Sequence, residues 1–285
     1  MKSSYLTNLI LLTIVVILLW VSQRDKPASD PVPSLSTLSA ESVNQLQIER
    51  KGKPTINLQR HQQVWQLTQP FSARANQTRV NLLLSLLSSP VHGQLQAMDK
   101  DALEQFGLAQ PRVTLSMNST RFAFGNVESL SENRYVLHQG TVYLIQDDVT
   151  PLLNASAGSF VDNRLIAENS EITKLSIPAS TDSNTRIEIH QRNGSWHSDS
   201  TTLTSDALKT LVDSWKNAYA MQVRHINAEQ VAALAAPQIR LWLEGQSQPV
   251  QLIMTQNAQN LQLINPDLQL QYDFPLALQS QLLAD

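Results

Sequence analysis

The chain has 285 residues with 21 Lys and Arg against 24 Asp and Glu, a formal charge of −3, so no basic field invites a nucleic acid. It has no cysteine, which removes disulfides and thiolate metal ligands. Its eight glycines are scattered, without the close spacing before a helix that a phosphate-cradling nucleotide site needs.

Taken in chain order, residues 3–23 are uncharged, and the stretch Leu9-Ile10-Leu11-Leu12-Thr13-Ile14-Val15-Val16-Ile17-Leu18-Leu19-Trp20-Val21 is almost wholly apolar. A helix of about 20 apolar residues crosses a bilayer because it satisfies its own backbone polar groups. Residues 1–24 therefore predict a cytoplasmic tip and a single transmembrane anchor, with Tyr5 and Trp20 suited to the two interfaces. The following Ser22-Gln23-Arg24-Asp25-Lys26 is a poor cleavage site, which favours an uncleaved anchor over a signal peptide. Lys2 lies on one side and Arg24 and Lys26 on the other, so flanking charge does not fix the orientation. The short N-terminal tail and the lack of cysteine point to a body in the periplasm, outside a bacterial inner membrane.

Residues 25–43 are rich in Pro and Ser and poor in apolar residues. They read as a linker, either a semi-stiff spacer or a slack tether.

The remainder carries one pattern twice, which divides it into a first module over residues 44–168 and a second over 169–285. Leu46 and Ile48 alternate as do Leu175 and Ile177; Ile56 and Leu58 answer to Ile187 and Ile189, and Trp65 to Trp196. Val80, Leu83, Leu84 and Leu87 form an amphipathic helical stripe, repeated by Leu208, Leu211, Val212 and Trp215. A short second helix follows each, from Asp101 to Leu108 and from Ala228 to Ala236, the latter capped by Asn227 with Gln230 three residues on. Pro111 and Pro237 precede the strands of Val113 with Leu115 and of Ile239 with Leu241. Gln139-Gly140 and Asn193-Gly194 are hairpin turns. Leu268, Leu270, Tyr272 and Phe274 alternate with Gln269, Gln271 and Asp273, a strand with one wet face. The predicted fold class is α+β: an anchor followed by two tandem related modules, each an antiparallel sheet covered on one face by one or two helices.

Trp65-Gln66-Leu67 stands before the leucine-rich helix, followed by Phe106-Gly107-Leu108-Ala109-Gln110-Pro111 and Phe124-Gly125. Arg134-Tyr135-Val136, Val142-Tyr143-Leu144-Ile145 and Phe160-Val161-Asp162-Asn163-Arg164-Leu165-Ile166 come after them. On these residues the chain, from Leu46 to the end together with the anchor, resembles the bacterial domain-of-unknown-function family 4340. The second half has Ala233-Leu234-Ala235-Ala236-Pro237 in place of the Phe-Gly-Leu element. The resemblance implies no catalytic residue; some similar proteins are described as auxiliary parts of ABC-type export systems.

Candidate chemistry is sparse. His190 and His197 flank the Asn193-Gly194 turn, but a zinc site needs further ligands that the spacing does not supply, so no metal and no cofactor is expected. Asp147-Asp148 before an apolar segment, and Asp99 with Asp101, read as helix N-termini rather than acid–base groups. Trp65, Trp196 and Trp215 read as core. Trp242 alternates out of phase with Ile239, Leu241 and Leu243 and is a candidate exposed aromatic anchor for a partner. Asp162 and Arg164, at the junction of the modules, are the other candidate contact residues, as an ion pair or a strand-end cap. The expectation is a non-enzymatic accessory or scaffold protein held to the bilayer by its anchor, binding a membrane or periplasmic protein. The alternative is an envelope lipid- or glycan-binding module with a cleft between the repeats. An enzyme built from scattered residues is the third reading.

Overall fold

The computed structural model describes residues 3–24, 33–96, 99–179, 185–234 and 238–283. The first helix, α1, runs Ser3–Arg24. The side chains described in it are Tyr5 and residues 8–20, and the apolar ones among them are exposed on every side of the helix. Among the described residues no helix is long and apolar enough to cross a membrane.

Residues 25–32 of the expected linker lie outside the described residues. From Pro33 on, the chain is packed rather than slack. Leu35 and Val43 are buried in the core, Leu35 N donates to Ser89 O at 3.0 Å, and Val91 N donates to Pro33 O at 2.9 Å. The apolar residues spaced through a polar stretch are what pin residues 33–43 to the body.

The first half then builds β1 (Gln45–Arg50), β2 (Ile56–His61), β3 (Val64–Gln69), β4 (Ala73–Arg74), α2 (Gln77–Leu84), β5 (Val91–Leu95), α3 (Lys100–Gln105), β6 (Val113–Met117), β7 (Thr120–Val127), β8 (Arg134–His138), β9 (Thr141–Ile145) and α4 (Thr150–Leu153). The second half builds β10 (Ile172–Pro178), β11 (Arg186–Arg192), β12 (Ser195–His197), α5 (Ser205–Lys216), β13 (Gln222–His225), α6 (Ala228–Ala232), β14 (Ile239–Leu243), β15 (Val250–Gln256), β16 (Asn260–Asn265), β17 (Leu270–Pro275) and α7 (Gln279–Leu282).

Two antiparallel sheets result, so the chain is α+β. Their strand orders are β4-β3-β2-β1-β6-β7-β8-β9-β5 and β12-β11-β10-β14-β15-β16-β17-β13. Apart from the two-residue β4, the two orders match strand for strand. In each, a helix leaves one edge of the sheet and delivers the chain to the opposite edge: α2 from β4 to β5, α5 from β12 to β13. A helix that must cross the whole sheet covers its inner face. This is why α2 buries Val80, Leu83 and Leu84, and why α5 buries Leu208, Leu211, Val212 and Trp215. One continuous apolar core contains both stripes. Trp65 is 2%, Trp196 9% and Trp215 0% exposed, as expected of core residues, and the Trp215 indole Nε1 donates to Leu282 O at 2.9 Å.

The turns follow their sequences. Gln139 and Gly140 have φ of 48° and 79°, and Asn193 and Gly194 have 51° and 79°, the left-handed pair that a two-residue hairpin requires. Asn227 and Gln230 close a reciprocal capping box on α6. Asp99 caps α3 by accepting from Ala102 N at 2.8 Å, and Asp147 accepts from Thr150 N at 2.9 Å at the start of α4.

Four expectations need correction. The second short helices are shorter than predicted: α3 ends at Gln105, and α6 ends at Ala232, with residues 235–237 outside the description. The last strand starts at Leu270, because Gln269 takes a φ of 55° in the preceding turn and leaves Leu268 exposed. The face of that strand predicted to be wet holds Asp273, which is 2% exposed. In the first half, the sheet is covered on both faces near α3, where Leu108, Ala123 and Val142 form a second small core with Phe106 and Tyr135.

Candidate functional site at the seam between the sheets

The motif Phe106-Gly107-Leu108 docks on Phe124-Gly125. Asn126 N donates to Phe106 O at 2.7 Å, and a Cβ on Gly125 would stand 2.2 Å from that same oxygen. Gly107 takes a φ of +70°, and a Cβ there would meet the Asn126 side chain at 2.6 Å. Gly125 is thus required by close approach to backbone and Gly107 by its left-handed φ, and their part is to seat α3 on the sheet.

Residues 160–166 fasten one sheet to the other. On the first side, Asn76 N donates to Phe160 O at 2.7 Å and Asp162 N to Arg74 O at 2.8 Å, so the segment lies along edge strand β4. Ala75 and Val161 form an antiparallel bridge there. On the second side, Ala220 N donates to Asn163 O at 2.9 Å, Asn163 Nδ2 donates to Ala220 O at 2.7 Å, and Arg164 bridges Tyr219. Met221 N continues the series by donating to Asp273 O at 2.8 Å. Unpaired sheet edges are open templates for other strands, and here the segment covers one edge of the first sheet. Buried Phe160, Val161, Leu165 and Ile166 fill the space between the halves along its length.

Side chains reinforce the seam. Asp162 Oδ2 lies 3.5 Å from Arg74 Nε, and its Oδ1 accepts from Arg164 N at 3.0 Å, so it is both an ion-pair partner and a cap. Arg74 Nη2 donates to Arg164 O at 2.7 Å. The Arg164 guanidinium reaches Glu168 at 3.2 Å on the surface, a contact that solvent screens to little worth. Phe71 stacks on His225 with centroids 4.5 Å apart. Gly158 lets the turn before Phe160 touch β13, where an added Cβ would stand 2.1 Å from Val223 O. Arg74, Tyr219 and His225 do not stand out in the sequence, because each acts through a long-range partner, whereas Asn76 also caps α2 locally by accepting from Arg79 N at 3.1 Å.

Just behind the seam, Asp273 accepts from Arg224 Nη2, from Gln262 Nε2 at 3.2 Å and from Gln271 Nε2 at 2.8 Å. These donors are what allow a carboxylate to sit buried on a sheet face. The neighbouring Tyr272 phenol is pushed up to about 12 by burial, with Arg74 lowering it and Asp162 raising it. An unfolded tyrosine titrates near 10. Stability from the neutral phenol is therefore full below about pH 10 and falls as pH rises towards 12, by roughly 2–3 kcal/mol in all. Tyr272→Phe is expected to flatten this alkaline loss, measured by denaturant unfolding at pH 9 and pH 11.

Trp242 lies on β14 opposite Lys174 of β10, on the face away from buried Ile239, Leu241 and Leu243. Its indole is half-buried, and the Lys174 ammonium sits 4.6 Å from its ring centroid, a cation–π contact. Lys174 also pairs with Glu188 at 2.9 Å. Burial raises the Glu188 carboxyl, but bonds from Ser176 and Lys174 outweigh it and hold the group below its ordinary range. Trp242 is on the second sheet's outer face and is not part of the seam that holds Asp162 and Arg164. His190 and His197 are cross-strand partners with rings 6.4 Å apart, and no group of three or more His, Asp or Glu among the described residues could hold a metal.

Comparison with curated proteins and with solved structures finds no match. The family model described as "Domain of unknown function (DUF4340)" matches residues 65–241, more than half of the chain, from Trp65 in β3 to Leu241 in β14. The matched region contains the docked Phe-Gly elements and the whole of the inter-sheet segment. The chain belongs to the DUF4340 family of domains of unknown function.

Proposed function

We propose that this is a membrane-anchored, extracytoplasmic accessory protein, non-enzymatic, whose two halves are copies of one module locked into a single docking body for a partner protein. The observation that carries the anchor is the set of apolar side chains at residues 9–12 and 14–19, all between 47% and 62% exposed. A helix apolar all round is stable in a core or in a bilayer, and none of the side chains described in α1 belongs to the core. Its Thr13 hydroxyl donates to Leu9 O at 2.8 Å, so its polar side chain is satisfied within the helix. A periplasmic placement of the body, and a partner in an ABC-type transport assembly, belong to the same reading. The fastened seam supports a rigid docking body over a ligand cleft that opens between the halves.

The test is site-directed photocrosslinking in intact bacterial cells, with the photoreactive residue placed at Trp242 and, for comparison, at Arg192. A discrete membrane-protein adduct from Trp242 alone is expected. Equal, diffuse labelling from both positions, or no adduct, contradicts the proposed docking face.

A further inference from the structure

We propose that the first half contains an oxyanion-binding cleft, built for a small solute bearing a carboxylate or a phosphate group. A cavity of about 450 Å³ opens beside the docked Phe-Gly elements, and Gln110, Arg112, Asn126, Arg134, Thr150 and Asn154 line it. Its polar lining is rich in hydrogen-bond donors and includes no carboxylate.

Two features mark it as a site rather than a surface dent. The first is Thr150 Oγ1, a buried oxygen with no hydrogen-bond partner among the described residues. A buried hydroxyl left unpaired is destabilising, and such groups in native structures call for an explanation. The oxygen is sealed off as it stands, so a bound oxyanion takes it as a partner by turning the Thr150 side chain, which lines the cleft.

The second is the state of the two guanidinium groups. Arg134 is held in place, with Nε donating to Asp147 and Nη1 donating to Gly125 O at 2.6 Å. Its charge is offset by Asp147, yet Nη2 is uncommitted among the described residues. Arg112 is exposed at the mouth, and its side chain has no ion pair or hydrogen bond among the described residues. Its charge is the uncompensated one. Planar guanidinium forks match carboxylate and phosphate oxygens.

The surroundings reinforce that charge. An adjoining depression shares Gln110 and Arg112 and adds Arg50, Lys51 and Arg121, with Glu49 as its one carboxylate. In a chain of net charge −3, this is a local positive field that draws anions. The neutral amides of Gln110, Asn126 and Asn154 supply further donors around the bound group.

The experiment is a titration of the full chain in detergent micelles with inorganic phosphate and, separately, with succinate. Binding is read by calorimetry and by thermal shift, at ionic strength matched with sodium chloride. Saturable binding of at least one probe is expected; the arm that responds tells phosphate from carboxylate. Arg112→Gln, an exposed position, is expected to weaken it at least tenfold, and Arg192→Gln, on the second sheet, to leave it unchanged. Thr150→Val is expected to raise the midpoint of the ligand-free protein, because the orphan hydroxyl is gone, while reducing the shift that ligand produces. No saturable response to either probe overturns the proposal. So does binding that survives both Arg112→Gln and Thr150→Val.

Discussion

Gly158→Ala is expected to destabilise the protein by about 2–3 kcal/mol, the cost typical of forcing extra atoms into a packed region. The added methyl would meet Val223 O at 2.1 Å and Val223 C at 3.2 Å, both backbone atoms that move only if β13 moves. The midpoint of thermal unfolding should fall by roughly 5–10 °C. Gly93→Ala is the matched control, since its new Cβ would lie in ordinary contact, 3.6 Å from Leu144 Cβ. A change within about 1 kcal/mol is expected there. Because Gly158 sits where the halves touch, hydrogen exchange should rise in both sheets together. Faster exchange in one sheet alone would place the strain elsewhere.

The other large effect is at Trp215. The side chain is fully buried at the end of the α5 stripe and ties α5 to the C-terminal helix α7 through Leu282 O. Trp215→Ala is expected to cost about 3–5 kcal/mol, as large-to-small changes of a buried aromatic do. Trp215→Phe keeps a ring in the core but strands the Leu282 carbonyl, so a smaller loss of roughly 1–2 kcal/mol is expected. Chemical denaturation of the two variants measures both. Equal losses would mean that the hydrogen bond, rather than the packing, dominates.

The stripes of α2 and α5 were legible because a helix that crosses a sheet has one apolar face, and a 3.6-residue period records it. The hairpins at Gln139-Gly140 and Asn193-Gly194 and the box at Asn227 were legible because they depend on neighbours in sequence. Edge strands β5 and β13 were not, since Val91-His92-Gly93-Gln94-Leu95 and Gln222-Val223-Arg224-His225 carry little alternation and become strands only by pairing with β9 and β17. Asp273 alternates as a solvent-facing residue does, and its burial depends on Arg224 and Gln262 arriving from other strands. Asp162 and Arg164 were legible as a junction, yet their partners Arg74 and Tyr219 lie about 90 and 55 residues away, beyond any local signal. The cleft at Thr150 is of the same kind: an orphan oxygen exists only once α4 is packed.

The proposal of a tethered docking body is tested most directly by locating the full chain in cells. Membranes are prepared by flotation, and intact spheroplasts are treated with external protease. The chain is expected to float with the membranes, and its body is expected to be digested from outside, while a chain lacking residues 1–24 is recovered free in the periplasm or cytosol. A full-length chain that stays in the soluble fraction, or a floating one whose body is protected until the spheroplasts are lysed, would contradict it.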